Sequence, residues 1–587
     1  MMNRTLLLVG AIQGWMLWAL WKARELQIWP ATNPICERAL LYISLALPLG
    51  FYLTQNILSL SRTLRIKLLI GVGILFALLG GYSGWADNVH SEPLNDIWSI
   101  PPARPSDLLA AAILGFIIIP LLVHFKRSKE HWSYQSLFET SWRNVLLTSS
   151  SAALTGVFWI VLLAGAMLMK SVGLNFIYDL IEKPIFSFPA TGIVYGASFA
   201  LGLVRVEMIV VLRRYWLSIS AWLLPLLLFF SLMWVVALPF TGLHTLFKTH
   251  NAGFILLWFL ALSIQFANAA YQDGEGEQPY GRLLAKTLEY AWLSLLVLAV
   301  VAWWAMKLRI DQYGWTEERV WGVFVLLLAT IYTVGYAYSV RLKTGWLVNI
   351  GNTNVFTALV MCIGILILLS PLGDARRIAV HSQVSRIKNG NTASENIDYA
   401  YLRWQAGRYG QDALNTLAGG INHKDKEFIA SKAKQVLAQK QRYSNTSGAE
   451  KLTIEQVRQR LRALPKGTVL DDELIKSLQS ATHWPENTCM EINTKCAIWM
   501  VDLNNDGLKE AVLIPYNSKW SSGNAVFYHQ LAKNQYEFGG AINLGYWGEK
   551  NQLEKMMAEI ELGHFKVVAP KFNDIELGNE QIKVIAK

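Results

Sequence analysis

The residues with the most legible chemistry form the run Asp502-Leu-Asn-Asn-Asp-Gly-Leu-Lys-Glu510. Asp502, Asn504 and Asp506 stand at alternate positions, Gly507 permits a sharp turn and Glu510 closes the segment. Hard oxygen donors at this spacing suit Ca²⁺, so Asp502, Asn504, Asp506, Leu508 and Glu510 are the expected metal ligands and Ca²⁺ the expected cofactor. The run departs from an EF-hand, which needs an acid at its twelfth position, because Leu513 stands there. Its flanks, Cys496-Ala-Ile-Trp-Met-Val501 and Ala511-Val-Leu-Ile514, read as strands rather than helices. The loop looks like the Asp-rich hairpin loops of integrin-type propeller blades, but a single copy does not make a propeller. The competing reading is an Asx-turn hairpin whose side chains cap their own backbone.

Two further sets of residues carry chemistry. Cys489 and Cys496 bracket a short polar segment just before the Asp-rich loop. A disulfide there would close a short loop and persist only in an oxidising compartment such as the periplasm. Zinc is disfavoured, since no second Cys or His pair lies at ligand spacing. Arg205 and Glu207 fall in the sixth apolar run, where an ionisable residue is costly unless paired or wet. Two positions apart on a helix they face different directions, so each is expected to find a partner on another helix or to snorkel to the interface. Transport or signalling is the alternative role for the pair. Asp87, His90 and Glu92 in the third loop are scattered polar residues of an ordinary kind. The chain has no phosphate loop, no His-Glu-x-x-His, no Gly-x-Ser-x-Gly and no Cys-x-x-Cys, and no enzymatic activity is expected.

The elements that must position these residues divide sharply in composition. Of 587 residues, 53% are hydrophobic and 16% charged, with a mean hydropathy of +0.29. The first 370 residues hold 43 of the Asp, Glu, Lys and Arg, whereas the remaining 217 hold 52. This excludes a disordered chain, a disulfide scaffold and an outer-membrane barrel, whose strands alternate. A span needs about 20 mostly apolar residues. Eleven such runs are present, near Thr5–Trp21, Ala39–Leu60, Leu64–Trp85, Leu108–Phe125, Val145–Met169, Phe188–Leu212, Trp216–Phe240, Phe254–Ala270, Leu288–Met306, Val320–Val340 and Val355–Leu369. The expected fold is a polytopic α-helical membrane bundle with a C-terminal α+β soluble domain.

Basic residues in short loops set orientation. Arg62, Arg65 and Lys67, then Lys126, Arg127 and Lys129, then Arg213 and Arg214, then Arg282 and Lys286, and finally Arg341 and Lys343 occupy the even-numbered loops. These face the cytoplasm, which puts the N-terminus inside and the tail outside. The net charge of +11 is therefore largely a record of orientation, and no nucleic-acid partner is expected. Small residues four apart, at Gly10 and Gly14, Gly80 and Gly84, and Gly192, Gly196 and Ala200, predict close helix crossings inside the bundle.

Four motifs carry a resemblance. Asn268-Ala-Ala-Tyr-Gln-Asp-Gly274, Tyr313-Gly-Trp-Thr-Glu-Glu-Arg319-Val, Tyr399-Ala-Tyr-Leu-Arg403-Trp and Gly407-Arg-Tyr-Gly410 together resemble a family of multi-spanning bacterial inner-membrane proteins, domain of unknown function 4153. The resemblance implies a bacterial inner membrane and supplies no reaction and no catalytic residue. Thr316-Glu-Glu-Arg319 reads physically as a helix start, with Thr316 as cap and Glu317 and Glu318 at the positive end of the dipole.

Three segments are expected: a transmembrane bundle over 1–370, a periplasmic helical segment over 371–445 and a periplasmic α+β domain over 446–587. Tyr399, Leu402, Tyr409, Ala413, Leu414 and Leu417 fall at helical spacing and predict one helix–turn–helix unit. Ser444-Asn-Thr-Ser-Gly448 reads as a linker, and helices are expected over Ile454–Leu464 and Asp471–Ser480. The functional expectation is a membrane-anchored scaffold or sensor, embedded in the lipid bilayer, that presents a Ca²⁺-stabilised periplasmic domain to an envelope protein partner. The alternative is a transporter or channel using the helical bundle.

Overall fold

The computed structural model describes residues 2–55, 60–87, 103–125, 133–243, 252–273, 279–341, 350–439, 454–480, 495–516, 522–532, 535–546, 552–567, 575–577 and 580–582. The chain divides into two compact units, Met1–Ala438 and Gln439–Lys587. His90, Glu92, Lys126, Arg127, Lys129, Lys343, the 444–448 linker and Cys489 lie outside the described residues.

The first unit is helical: α1 (Met2–Glu25), α2 (Pro34–Gln55), α3 (Arg62–Asp87), α4 (Pro105–Phe125), α5 (Tyr134–Ser171), α6 (Phe176–Glu182), α7 (Pro184–Val204), α8 (Val206–Thr241), α9 (Ala252–Tyr271), α10 (Arg282–Trp292), α11 (Ser294–Tyr313), α12 (Glu317–Arg341) and α13 (Ile350–Leu368). Among the described residues eleven segments are long and apolar enough to cross a membrane, α10 and α11 serving together as one of them and the short α6 as none. Each sequence-predicted span falls on one of these segments except the sixth, Phe188–Leu212, which runs past the end of α7 into α8. At 38 and 36 residues, α5 and α8 exceed the roughly 20 that a bilayer requires, so each extends beyond the apolar layer.

The small-residue spacing does what it predicts. A Cβ added at Gly10 would stand 2.0 Å from the Gly192 carbonyl oxygen, one at Gly14 would meet Phe188, and one at Gly196 would meet Leu6. The order of these partners makes α1 and α7 antiparallel, backbone against backbone. Gly80 and Gly84 of α3 similarly press on the Arg38 and Pro34 carbonyls of α2. Such approach lets dispersion and weak backbone contacts replace the hydrophobic drive that lipid does not supply.

After the last span come α14 (Ala375–Lys388), α15 (Tyr399–Trp404), α16 (Gly407–Ala418) and α17 (Lys426–Ala438). They share a core of Val380, Ile387, Leu402, Leu414, Leu417 and Ile429, which contains the residues that helical spacing singled out. Gly407, at φ +58°, makes the turn between α15 and α16, and Gly410 lets α16 close on the Leu402 carbonyl. This helical cap belongs to the same compact unit as the bundle, although its composition is that of a soluble segment.

The second unit contains α18 (Ile454–Arg460), β1 (Leu461–Leu464), α19 (Asp472–Ser480), β2 (Lys495–Val501), β3 (Glu510–Tyr516), β4 (Ser522–Ala532), β5 (Gln535–Tyr546), α20 (Gln552–Glu561), β6 (Ile575–Leu577) and β7 (Glu580–Ile582). The first five strands form one sheet in sequence order, β1 parallel to β2 and the rest antiparallel, while β6 and β7 pair separately. The expected helix Ile454–Leu464 is corrected: it ends at Arg460, and Leu461–Leu464 pairs with Cys496–Trp499. Pro465 follows, and a residue before proline is biased toward extended backbone. Along β2, Cys496, Ile498 and Met500 pack against α18 and α19, while Ala497 and Val501 pack against α20. The sheet is thus buried on both faces, which explains why β2 and β3 read as unbroken apolar runs.

Candidate functional site

The cap is held to the bundle by buried charge. Asp374 caps α14, its Oδ1 accepting from the Arg376 backbone N–H at 2.8 Å. The Arg376 guanidinium then turns back, Nη2 donating to Asp374 Oδ2 and Nη1 to Asp87 Oδ1 at the end of α3, both at 2.7 Å. Tyr82 donates to Asp374 Oδ2 at 2.6 Å and shares a 2.9 Å hydroxyl contact with Tyr409 of α16. Arg104, just before α4, donates to Glu317 at the start of α12, and Tyr401 of α15 donates to the other Glu317 oxygen at 2.9 Å. At the neighbouring ends of α1 and α2, Arg24 lies 3.0 Å from Glu37.

Burial alone would raise the Asp374 carboxyl, but the hydrogen bonds and charge of Arg376 outweigh it and hold the group below the usual carboxylate range. For Arg376 burial works against the charge, and Asp374, then Asp87 and Asp107, more than offset it and raise its pKa. Burial, then Glu317, raises the Tyr401 hydroxyl far above its ordinary value, so it remains a donor. The hollow between these groups measures about 20 Å³, room for one water and not for an organic substrate. The arrangement is a lock between helices rather than a reaction site. Asp87, read from sequence as an ordinary loop residue, is in fact 7% exposed and central to it.

Three of the four resemblance motifs meet here. Glu317 belongs to the 313–320 motif, Tyr401 to 399–404 and Tyr409 to 407–410, where a Cβ on Gly407 would stand 2.4 Å from the Ala86 carbonyl. Arg408 lies 4.5 Å over the Trp85 ring. Gln383 donates to the Tyr313 and Trp315 carbonyls, and Arg386 donates to those of Asp311 and Gln312, covering the backbone end of α11.

The fourth motif sits at the opposite end of the bundle, because α12 carries Glu317 at its start and Tyr336 near its finish. Asn268 Oδ1 accepts from Tyr336 at 2.9 Å and from Asn354 Nδ2 at 2.5 Å, and Asn354 also donates to Tyr134 at 3.0 Å. Asn268 thus hydrogen-bonds to two other helices, α12 and α13. Beside it a groove of about 330 Å³ is lined by Gln265, Asn268, Asn354, Trp142 and Pro120 among others.

Arg205 and Glu207 require a correction of place. The sixth span, expected to carry both about two turns from its cytoplasmic end, stops at Val204, and Arg205, at φ −99° and ψ 50°, is the joint from which α8 starts. Both side chains are exposed. Arg213 and Arg214, expected in the sixth loop, lie inside α8 less than three turns further on, so the polar boundary between the two spans falls at Arg205.

In the second unit, the Asp-rich loop joins β2 to β3. Asp502 Oδ2 accepts from Gly507 N–H at 3.0 Å, Asn504 Oδ1 from Asp506 N–H at 3.1 Å, and Asp506 Oδ1 from Leu508 N–H at 2.7 Å. Glu510 Oε2 accepts from Leu503 N–H at 2.7 Å. Asn505 and Gly507 take positive φ of 61° and 86°, as Asn and Gly tolerate. His529, reaching in from β4, was not anticipated because register and not sequence proximity brings it there; its Nε2 stands 3.9 Å from Asp506 and 3.7 Å from Glu510. Cys496 is buried in β2, and its pairing with Cys489 remains a proposal.

The helices and the ion lock define a class: a polytopic helical membrane protein whose juxtamembrane helices are fastened to one end of its bundle. The chain belongs to the family described as Domain of unknown function (DUF4153), whose model matches residues 39–418. That match takes in the bundle from α2 onward together with α14 to α16, so the lock lies wholly inside it. No curated protein and no solved structure matches the chain.

Proposed function

We propose that the protein is a multi-pass protein of the bacterial inner membrane that presents its C-terminal unit to the periplasm, as a scaffold or sensor for an envelope partner. The observation that carries this reading is the Asp87–Arg376–Asp374 lock. A chain that only had to tether a soluble domain would need no ionic fastening of the helices between them, whereas one that must hold its exit point rigid would. The orientation rests on charge. Arg62, Arg282 and Arg341 stand at the helix ends remote from the lock, and basic residues favour the cytoplasmic side. A disulfide between Cys489 and Cys496 is part of the same reading, since the periplasm would preserve it.

Transport is the second reading, favoured by the groove beside Asn268 and Asn354, which is mostly apolar with these two amides and Gln265 in its wall. One pair of experiments separates the possibilities. In intact cells a membrane-impermeant maleimide is expected to label Thr416→Cys on the exposed face of α16 and to spare Arg214→Cys; the reverse pattern overturns the proposed orientation. In proteoliposomes, solute flux that is abolished by Asn354→Leu overturns the scaffold reading in favour of transport.

A further inference from the structure

We propose that the loop between β2 and β3 binds one Ca²⁺ through carboxylate oxygens of Asp502, Asp506 and Glu510, a site carried by the second unit and independent of which side of the membrane that unit occupies. The turn bonds of the loop account for both Asp506 oxygens, Oδ1 accepting from the Leu508 N–H and Oδ2 from Asn504 Nδ2 at 2.7 Å, but for only one oxygen each of Asp502 and Glu510. Asp502 spends Oδ2 on the Gly507 N–H, and Glu510 spends Oε2 on the Leu503 N–H. The second oxygens, Asp502 Oδ1 and Glu510 Oε1, are shielded from solvent and have no hydrogen-bond partner among the described residues. Glu510 is 1% exposed, and burying a carboxylate is costly without a cation or donors to both its oxygens; His529 Nε2, 3.7 Å from Oε1, is beyond hydrogen-bond reach.

The geometry around that orphaned oxygen fits a single ion. Ligand atoms of Asp506, Glu510 and His529 all lie within 4.8 Å of one another. Two donors bound to one Ca²⁺ at about 2.3–2.6 Å stand at most roughly 5 Å apart, so Asp506 and Glu510 meet that limit with His529 beside them, and Asp502 joins them through its unpartnered Oδ1 on the same loop. Three carboxylates and the Asn504 amide make a hard oxygen set, which selects Ca²⁺; His529 flanks it as the one softer donor. Occupancy would add to the Lys509–Gln530 and Asn504–His529 contacts that already join the β2–β3 loop to β4.

The test uses the full chain in detergent micelles after treatment with a chelator, titrated with CaCl₂ by calorimetry. Saturable uptake of one Ca²⁺ per chain is expected. Asp506→Asn, at an exposed position where folding is not at risk, should weaken binding by at least about tenfold through the lost ligand charge. Glu510→Gln should abolish it, with unchanged circular dichroism showing that the sheet survives. His529→Ala should leave Ca²⁺ affinity within a few-fold. Absence of saturable Ca²⁺ uptake by the folded wild type, or equal uptake by Asp506→Asn and Glu510→Gln, overturns the site. Zn²⁺ uptake that Ca²⁺ does not displace and that His529→Ala removes overturns the choice of metal.

Discussion

Arg376 donates to Asp87 at 2.7 Å across 289 positions of sequence, and both side chains are only 5% exposed. The guanidinium serves two carboxylates at once, Asp374 and Asp87, so removing it strands both in a dry site. Arg376→Met should therefore destabilise the first unit by about 3–5 kcal/mol, the scale for breaking one side of a buried ion pair. Chemical unfolding of the purified protein in micelles measures this, and trypsin should cut within α14–α17 earlier than in the wild type. A change below about 1 kcal/mol would mean that the lock is solvated and does not fasten the cap.

The same lock predicts an acid limit. Asp374 has a folded pKa below its unfolded value, so its contribution is fully present above the unfolded value of about 4 and is lost as pH falls through the lower folded one. Arg376 is raised instead, so its contribution persists below its unfolded value and is not lost at any ordinary alkaline pH. Melting temperature should fall steeply below pH ~4, and Asp374→Asn should melt lower at neutral pH with a shallower acid decline. Parallel acid profiles for the two proteins would remove Asp374 from the lock.

The α1–α7 crossing makes a steric prediction. A side chain at Gly192 meets the Gly10 carbonyl at 2.0 Å, and backbone has no flexible end that can give way. Gly192→Leu should cost at least about 1–3 kcal/mol by overpacking and separate the two helices. Gly156→Ala in α5, where an added Cβ meets nothing within 4 Å, is the matched control and should be neutral or slightly stabilising. Equal stability of the two variants in micelles would show that α1 does not pack as described.

How much of this was legible in the sequence follows from the range of each cause. The eleven spans were readable because the bilayer demands a local, continuous run of apolar residues, and Gly10, Gly80 and Gly192 were readable because backbone approach needs a small residue at a fixed local spacing. The lock was not. Asp87, Arg104, Glu317 and Arg376 each look unremarkable among their neighbours, as a loop charge, a helix start or a post-span basic residue, and only tertiary closure over more than 200 positions joins them. Asp374-x-Arg376 immediately after a span, with Tyr82 and Asp87 ending another, was the one faint signal. Arg205 was misplaced for a local reason: the apolar run continues through the joint and Arg213 and Arg214 look like a loop, so the boundary between the sixth and seventh spans was read about eight residues too late. His529 escaped because β4 reaches the Asp-rich loop through sheet register, which a single sequence does not state.

The polar cluster around Asn268 leads to a last prediction, about polar groups inside the bundle. Asn354 bonds Asn268 and Tyr134 with its amide and accepts from Tyr336, whose hydroxyl also reaches Asn268. Asn354→Leu leaves three partners on three other helices to find substitutes, whereas Tyr336→Phe removes one hydroxyl and keeps the ring against Trp292. Interhelical hydrogen bonds in membranes are worth about 0.6 kcal/mol on average and up to about 1.7, because the partners find alternatives. Asn354→Leu should thus cost toward the upper figure, Tyr336→Phe toward the lower, and the double variant less than their sum, since the Tyr336–Asn354 bond is counted in both. Strict additivity in reversible unfolding would mean that the two residues stabilise the bundle separately and that Asn354 is not the hub joining α5, α9, α12 and α13.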